Sequence, residues 1–362
     1  MASSFKPLGA SDVISTRTLL HEAIPVTGTI VYGTYNDENV KNYSHGMFQT
    51  VYDYPYLSSS ANHIFDITMG NSSKSFFTGS VTKQPQKKEN IYNQMAQLLV
   101  GYDITGSIQR FDRDGDLTGG EKINDALFVS FSRLLCKDEI KKGSFNLQLG
   151  VAESRTAPFG KITTITDRNA ATSYKVNSPA GEYALLYATG NLDHGQTSGG
   201  YHACGLLFYQ AGIAVLTASI LNTKGGGTGG QGAGLIENTG HIQWINSTTS
   251  LTGAIVSEEV SGSANALRER IQTLSFNNTT ELNSTIYFCR ANHNEFNFSS
   301  NPTYISNSKI RVKAQSSDSP VSYITTVGLY SADNVLLAVA KLSEPLRKDP
   351  TMEYTLRVRL DY

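Results

Sequence analysis

Apolar and polar positions change period several times along the chain, and the changes predict the elements. In "NIYNQMAQLLVGYD", Ile91, Met95, Leu98 and Leu99 recur at helical spacing, which predicts an amphipathic helix. In "KINDALFVSFSRLLCKDEI", Ile123, Leu127, Phe131, Leu134 and Leu135 fall along one helical stripe, and a second helix is expected there. Gly143 suits the break before a strand in "SFNLQLGV". From about Thr163 the pattern is that of strands. "GEYALLYAT" reads as one strand. "ACGLLFYQAGIAVLTASIL" reads as a hairpin rather than a buried helix, because Gly205 and Gly212 would each weaken a helix by ~1 kcal/mol relative to Ala.

A short helix is expected over Ser263–Gln272. The stretch "TLSFNNTTELNSTIYFCRANHNEFNFSSNPTYI" then reads as two strands around a polar turn. Near the C-terminus, Tyr323 to Tyr330 is rich in β-branched and aromatic residues, and Ser331 to Asn334 suits a turn. Val335 to Leu342 is almost continuously apolar, as in a strand buried on both faces. Pro345 and Pro350 should bracket a loop, "SEPLRKDP". Thr355 to Tyr362 alternates strictly. Leu356, Val358, Leu360 and Tyr362 share the core-facing side, and the strand is expected to be docked. The first 80 residues show little helical period, with a strand and turn in "VTGTIVYGTYND" and one strand near Ile64.

These patterns give an α+β, mostly β chain built of β-sandwich-like modules with a few helices. Three regions are expected: an irregular β-containing N-terminal part (1–80), an α+β central domain (81–260) and a C-terminal β-sandwich-like module (261–362).

Composition narrows the function. Charged residues make up 17% of the chain, below the ~25% usual for soluble domains. The net charge of −1 offers no electrostatic reason for binding nucleic acid or an anionic membrane, and neither partner is expected. No apolar run approaches the ~20 residues of a membrane span, and no basic-then-apolar signal opens the sequence. Sequons at Asn71, Asn246, Asn283 and Asn297 then read as chance. Cys136, Cys204 and Cys289 are far apart and lack a CxxC pairing, so buried free thiols in a reducing cytoplasm are expected.

Candidate chemistry is sparse. In "FDRDGDLTGGE", Asp112, Asp114 and Asp116 alternate, a spacing that can wrap oxygen ligands around Ca²⁺. Gly115 and Glu121 come two residues early for an EF-hand, and a solvated loop opening the helix at Ile123 is the plainer reading. Gly225, Gly227 and Gly230 have GxGxxG spacing, but no helix start follows and Lys224 precedes the glycines, so a flexible surface loop is preferred. Asp193, His194 and His202 could join a metal site, although their spacing matches no established motif. His293, Asn294 and Glu295 form a polar cluster suited to a turn. No GxSxG elbow occurs, and neither an enzyme nor a cofactor is expected.

The strings "IYFCRANHNEFNFSSNPTYI", "SKIRVK" and "YITTVGLYSADNVLLAVAKLSEPLRKDPTMEYTLRVRLDY" resemble virion structural proteins of large contractile-tailed phages, most like those of cyanophage myoviruses. "NIYNQMAQLLVGYDITGSI", "FSRLLCKDEIKKGSF" and "GLLFYQAGIAVLT" resemble the same group, so the resemblance reaches most of the chain beyond Ile91. It implies a tail, baseplate or neck component, with tail or baseplate preferred; the tyrosines of "YDYPY" and the acidic loop would instead serve a receptor- or glycan-binding tail protein, the alternative reading. Such a protein would be assembled in the host cytoplasm into the virion, in multiple copies, through contacts with other virion proteins. The resemblance carries no catalytic residue.

Overall fold

The computed structural model describes residues 5–29, 37–75, 83–152, 157–189, 197–198, 200–221, 235, 260–299, 302–307, 309–310, 313, 315 and 317–362. Strand accounts for 45% of it and helix for 18%, so the fold is mostly β, with a large antiparallel sheet and few helices. The chain forms two compact units: Leu20–Thr280, and Met1–Leu19 with Glu281–Tyr362.

In chain order the strands are β1 (Val13–Ile24), β2 (Val40–Asn42), β3 (Gln49–Tyr52), β4 (His63–Asn71), β5 (Asp125–Phe131), β6 (Glu139–Ile140), β7 (Asn146–Gly150), β8 (Ile162–Thr166) and β9 (Tyr183–Thr189). They continue as β10 (Thr197–Ser198), β11 (Tyr201–Phe208), β12 (Ile213–Thr217), β13 (Ile271–Ala291), β14 (Ile305–Ser306), β15 (Lys309–Ile310), β16 (Ser322–Tyr330), β17 (Leu336–Lys348) and β18 (Tyr354–Asp361). Helix α1 spans Lys83–Leu99.

Within Leu20–Thr280 the strand order is β13-β7-β8-β9-β11-β12-β5-β4-β3-β2, antiparallel throughout. Strands far apart in this order share one core. Phe131 of β5 has its ring 5.1 Å from that of Phe276 in β13, and Phe65, Leu147 and Leu149 belong to the same cluster. The other face carries a second cluster, in which Tyr92, Ala96 and Leu99 of α1 meet Phe111, Phe128 and Phe208. β11 and β12 form the expected hairpin, with Gly212 in the left-handed region.

The helix expected from Ile123 is instead β5 followed by a single turn, Arg133–Cys136. Leu127, Val129 and Phe131 enter one cluster while Ala126 and Phe128 enter the other. A strand buried on both faces is apolar at every position, so helical spacing can be picked out of it by accident. In α1, Ile91 and Leu99 are buried as expected, but Leu98 is exposed; Tyr92 and Ala96 complete the stripe. The short helix later in the chain spans Val260–Arg268, and Ile271 already belongs to a strand. The expected turn in the Asn/Thr-rich stretch is absent. β13 runs unbroken for 21 residues, with its polar middle partnered by β6 and its C-terminal part by β18.

The unit Met1–Leu19 with Glu281–Tyr362 is built differently. β16 and β17 form a separate hairpin, closed by a turn with Asn334 at φ +60 and a Ser331 N–H to Val335 carbonyl bond of 2.9 Å. β17 does not stop at the expected loop but continues through Pro345 to Lys348. The register explains this: Ile324 pairs with Leu346 and Thr326 with Lys341, so Leu342–Pro345 bulges opposite Thr325 alone. A proline is tolerated where no ladder N–H is required. β18 pairs with Ser284–Ala291 of β13, not with the preceding strand. Its alternation is as expected, but Leu356, Val358 and Leu360 are only half-buried and Tyr362 is exposed.

Candidate functional site

Two features of the described residues bear on function. The first is the loop from Asp112 to Lys122. Its ends are clamped as in a hairpin: Ile123 N–H donates to the Phe111 carbonyl at 2.9 Å and Arg113 N–H to the Glu121 carbonyl at 3.0 Å. Between these bonds the chain folds tightly, with Leu117 and Gly120 at positive φ. Packing fixes the loop from outside. The Tyr183 hydroxyl donates to the Gly115 carbonyl at 2.8 Å, and Gln109 Nε2 donates to the Leu117 carbonyl at 2.7 Å.

This folding brings the three alternating carboxylates together. Asp112, Asp114 and Asp116 each offer one oxygen, and these lie within 4.8 Å of one another. Asp112 is fully buried, Asp114 is half-buried and Asp116 is exposed. Lys122 Nζ donates to Asp112 Oδ2 at 2.7 Å and to the Thr118 carbonyl at 2.7 Å. Burial pushes the Asp112 carboxyl above its usual range despite Lys122, and the neighbouring Asp114 adds to the push. Asp116 is held low by hydrogen bonds from Thr118. Such a set of hard oxygen donors suits a hard divalent cation, with no histidine or thiolate in the group to favour a transition metal.

The remaining sequence candidates separate. The glycines Gly225, Gly227 and Gly230, with Lys224, lie outside the described residues, as do Asp193 and His194. His293 and Glu295 make separate side-chain contacts: His293 Nδ1 lies 3.1 Å from Glu353 Oε1, and Glu295 pairs with Lys6, which holds its carboxyl low. Cys136 and Cys204 are buried thiols and Cys289 is half-buried. One buried carboxylate had no sequence signal. Asp167 accepts from Tyr209 Oη at 2.8 Å, Gly143 N at 2.7 Å and Phe145 N at 3.1 Å. Both side chains are shut off from solvent, so this pair braces the fold.

The second feature is the surface of the unit Met1–Leu19 with Glu281–Tyr362. None of its described residues belongs to either hydrophobic cluster. Many of its apolar side chains stand in the open instead, although Ala291 and Leu329 are buried. Val335, Leu336, Leu337 and Val339 of the hairpin are about half to two-thirds exposed, with Leu337 at 67%. Tyr330 at the same tip packs against Phe5 with the rings tilted, centroids 4.6 Å apart. The strand expected to be buried on both faces is therefore the most exposed apolar run of the unit. Polar contacts hold it together: Arg290 Nε donates to Asp12 Oδ1 at 2.6 Å, and Arg17 pairs with Glu281. Among the described residues no helix is long and apolar enough to cross a membrane.

Comparison with protein-family models, curated proteins and solved structures finds no match.

Proposed function

We propose that this chain is a structural component of a tailed bacteriophage virion, in the tail or baseplate, acting by assembly contacts with other virion proteins. The observation that carries the reading is the exposed apolar hairpin Ser322–Lys348. A sheet face or hairpin normally buries its apolar side, and a two-stranded hairpin alone is marginal in water. Leu336, Leu337 and Val339 left in solvent fit a surface that is completed by a neighbour. The resemblance of this same stretch to myovirus virion proteins points the same way.

The test is a phage carrying Leu337→Asp with Val339→Asp. Both positions are exposed, so the chain should remain soluble with the parental melt. It should be missing from purified particles. Variant chains found in particles at the parental copy number would overturn the proposal.

A receptor- or glycan-binding role is the second reading, favoured by Tyr54, Tyr56 and Leu57, which stand exposed together. Binding of the isolated chain to host cells, lost in Tyr54→Ala with Tyr56→Ala, would favour it over the assembly role. The neck is an alternative location for the assembly role, and a particle map would decide it.

A further inference from the structure

We propose that the loop Asp112–Gly120 is a calcium site, taking one carboxylate oxygen each from Asp112, Asp114 and Asp116. Their convergence within 4.8 Å is the first observation. It fits inside the ~5 Å that separates opposed oxygens around Ca²⁺, given ligand distances of ~2.3–2.6 Å; Mg²⁺, at ~2.0–2.1 Å, would need them drawn inside ~4.2 Å.

The second observation is independent of the clustering. Asp112 is fully buried, and no donor reaches its Oδ1; the Asp116 carboxyl lies against the Asp112 side chain instead. A buried carboxylate oxygen is costly to leave unpaired. The contrast is Asp167, equally buried in the same unit, which collects three donors. Lys122 satisfies only the other oxygen of Asp112.

The unpaired oxygen is aimed into the cluster. A β-carbon on Gly120 would lie 3.8 Å from Asp112 Oδ1 and 3.1 Å from Asp114 Oδ2, so both atoms face the space that this glycine leaves free. Gly120 also sits at φ +70, where a side chain is strained.

Charge favours a divalent ion. Three carboxylates and the Lys122 ammonium sum to −2, which one divalent cation neutralises. The nearby carbonyls of Gly115, Leu117 and Thr118 each accept one hydrogen bond and keep a second lone pair, so carbonyl oxygens and water are available to complete the shell. Bound there, the ion fixes the loop against Tyr183.

The experiment uses the full chain, stripped with EDTA and titrated with CaCl₂ and separately with MgCl₂ by calorimetry, alongside thermal melts. Terbium luminescence sensitised by tyrosine reports occupancy directly, since Tyr183 touches the loop. Expected are one Ca²⁺ per chain, a rise in melting temperature with calcium, and terbium emission that calcium displaces. Asp114→Asn with Asp116→Asn should weaken calcium binding at least tenfold and abolish the melting shift. Asp114 and Asp116 are not fully buried, so the variant should melt like the EDTA-stripped parent. The parental titration stands alone should the variant fail to fold. Absence of calcium binding by the parent, calcium binding unchanged in the variant, or tighter binding of Mg²⁺ than Ca²⁺ would each overturn the proposal.

Discussion

Lys348 donates from Nζ to the side-chain oxygen of Asn297 at 2.7 Å while fully buried. The same ammonium reaches the carbonyls of Asp349 at 2.9 Å and His293 at 3.2 Å. All three acceptors are neutral, in a unit that contributes nothing to either hydrophobic cluster. A polar knot thus replaces an apolar core at the base of the hairpin. Lys348→Met should orphan these acceptors and cost ~1–3 kcal/mol locally. Hydrogen exchange of the intact chain would show this as lost protection over Ser322–Lys348, while β11 and β12 keep theirs.

Helix α1 rests its backbone on a glycine. A β-carbon at Gly70 would fall 2.6 Å from Tyr92 N and 2.9 Å from the Lys88 carbonyl. These are backbone atoms of a helix and cannot swing aside. Gly70→Ala should therefore push α1 off β4 and cost ~1–3 kcal/mol or more. Tyr92 would move with the helix, and its hydroxyl, 2.6 Å from the Ile123 carbonyl, would lose that bond. A urea melt of Gly70→Ala that overlays the parent's would contradict this packing.

Phe131 meets Phe65, Phe145 and Phe276 with ring centroids 5.1–6.4 Å apart. Phe131→Ala should cost ~3–5 kcal/mol, read as a drop in denaturation midpoint. The cost is that of the aromatic centre of a β core, although the sequence pattern placed this residue on a helix.

That case shows what was legible. The hairpin β11–β12, helix α1 and the alternation of β18 carried clear periods, and all three are present. Segments apolar on every face were ambiguous in both directions: β5 is a buried strand that imitates a helical stripe, while Leu336–Val339 is an exposed strand that imitates a buried one. Composition does not record which side of a strand finds a partner. The long β13 was hidden because Asn and Thr are common in turns, yet here Asn278 and Thr279 are buried against β6. The acidic loop was visible as spacing. The unpaired, buried oxygen of Asp112 depends on the tertiary fold and was not.

Asp125 gives a dependence on pH. Burial pushes its carboxyl up to about 6, against opposing contributions from the Ser75 hydroxyl, 2.5 Å away, and from Lys88. The folded chain therefore holds this proton more tightly than the unfolded chain does. Its contribution to stability is full below about pH 4 and is lost as pH rises through about 6. Asp125→Asn removes the titration. The parent's stability relative to that variant should fall between pH 4 and pH 7, in urea melts taken at several pH values. A difference that stays flat over this window would rule the shift out.

Deleting Thr355–Tyr362 tests how the final strand is used. The segment pairs along Ser284–Arg290 of β13, and Ser284 Oγ and Thr285 Oγ1 bond to Asp361 and Tyr362. None of the deleted residues belongs to a hydrophobic cluster, and Leu356, Val358 and Leu360 are only half-buried. Their loss should cost less than the ~1.5–3 kcal/mol per side chain that full burial would imply. The core of Leu20–Thr280 should therefore stay folded, with Tyr183–Thr189 and Tyr201–Phe208 still protected from hydrogen exchange. The larger consequence is geometric. Removal bares one ladder edge of β13 across Ile286, Tyr287 and Phe288, and an unpaired edge of that length recruits other strands. The expected product is a folded core that self-associates, seen as a concentration-dependent shift to larger species in size-exclusion chromatography. Val358→Asp keeps the ladder and should remain monodisperse with a cost of about 1 kcal/mol, since its side chain can turn to solvent. A truncated chain that unfolds as a whole would mean that the strand supports the core. One that stays monodisperse would mean that the bared edge is protected by something other than β18.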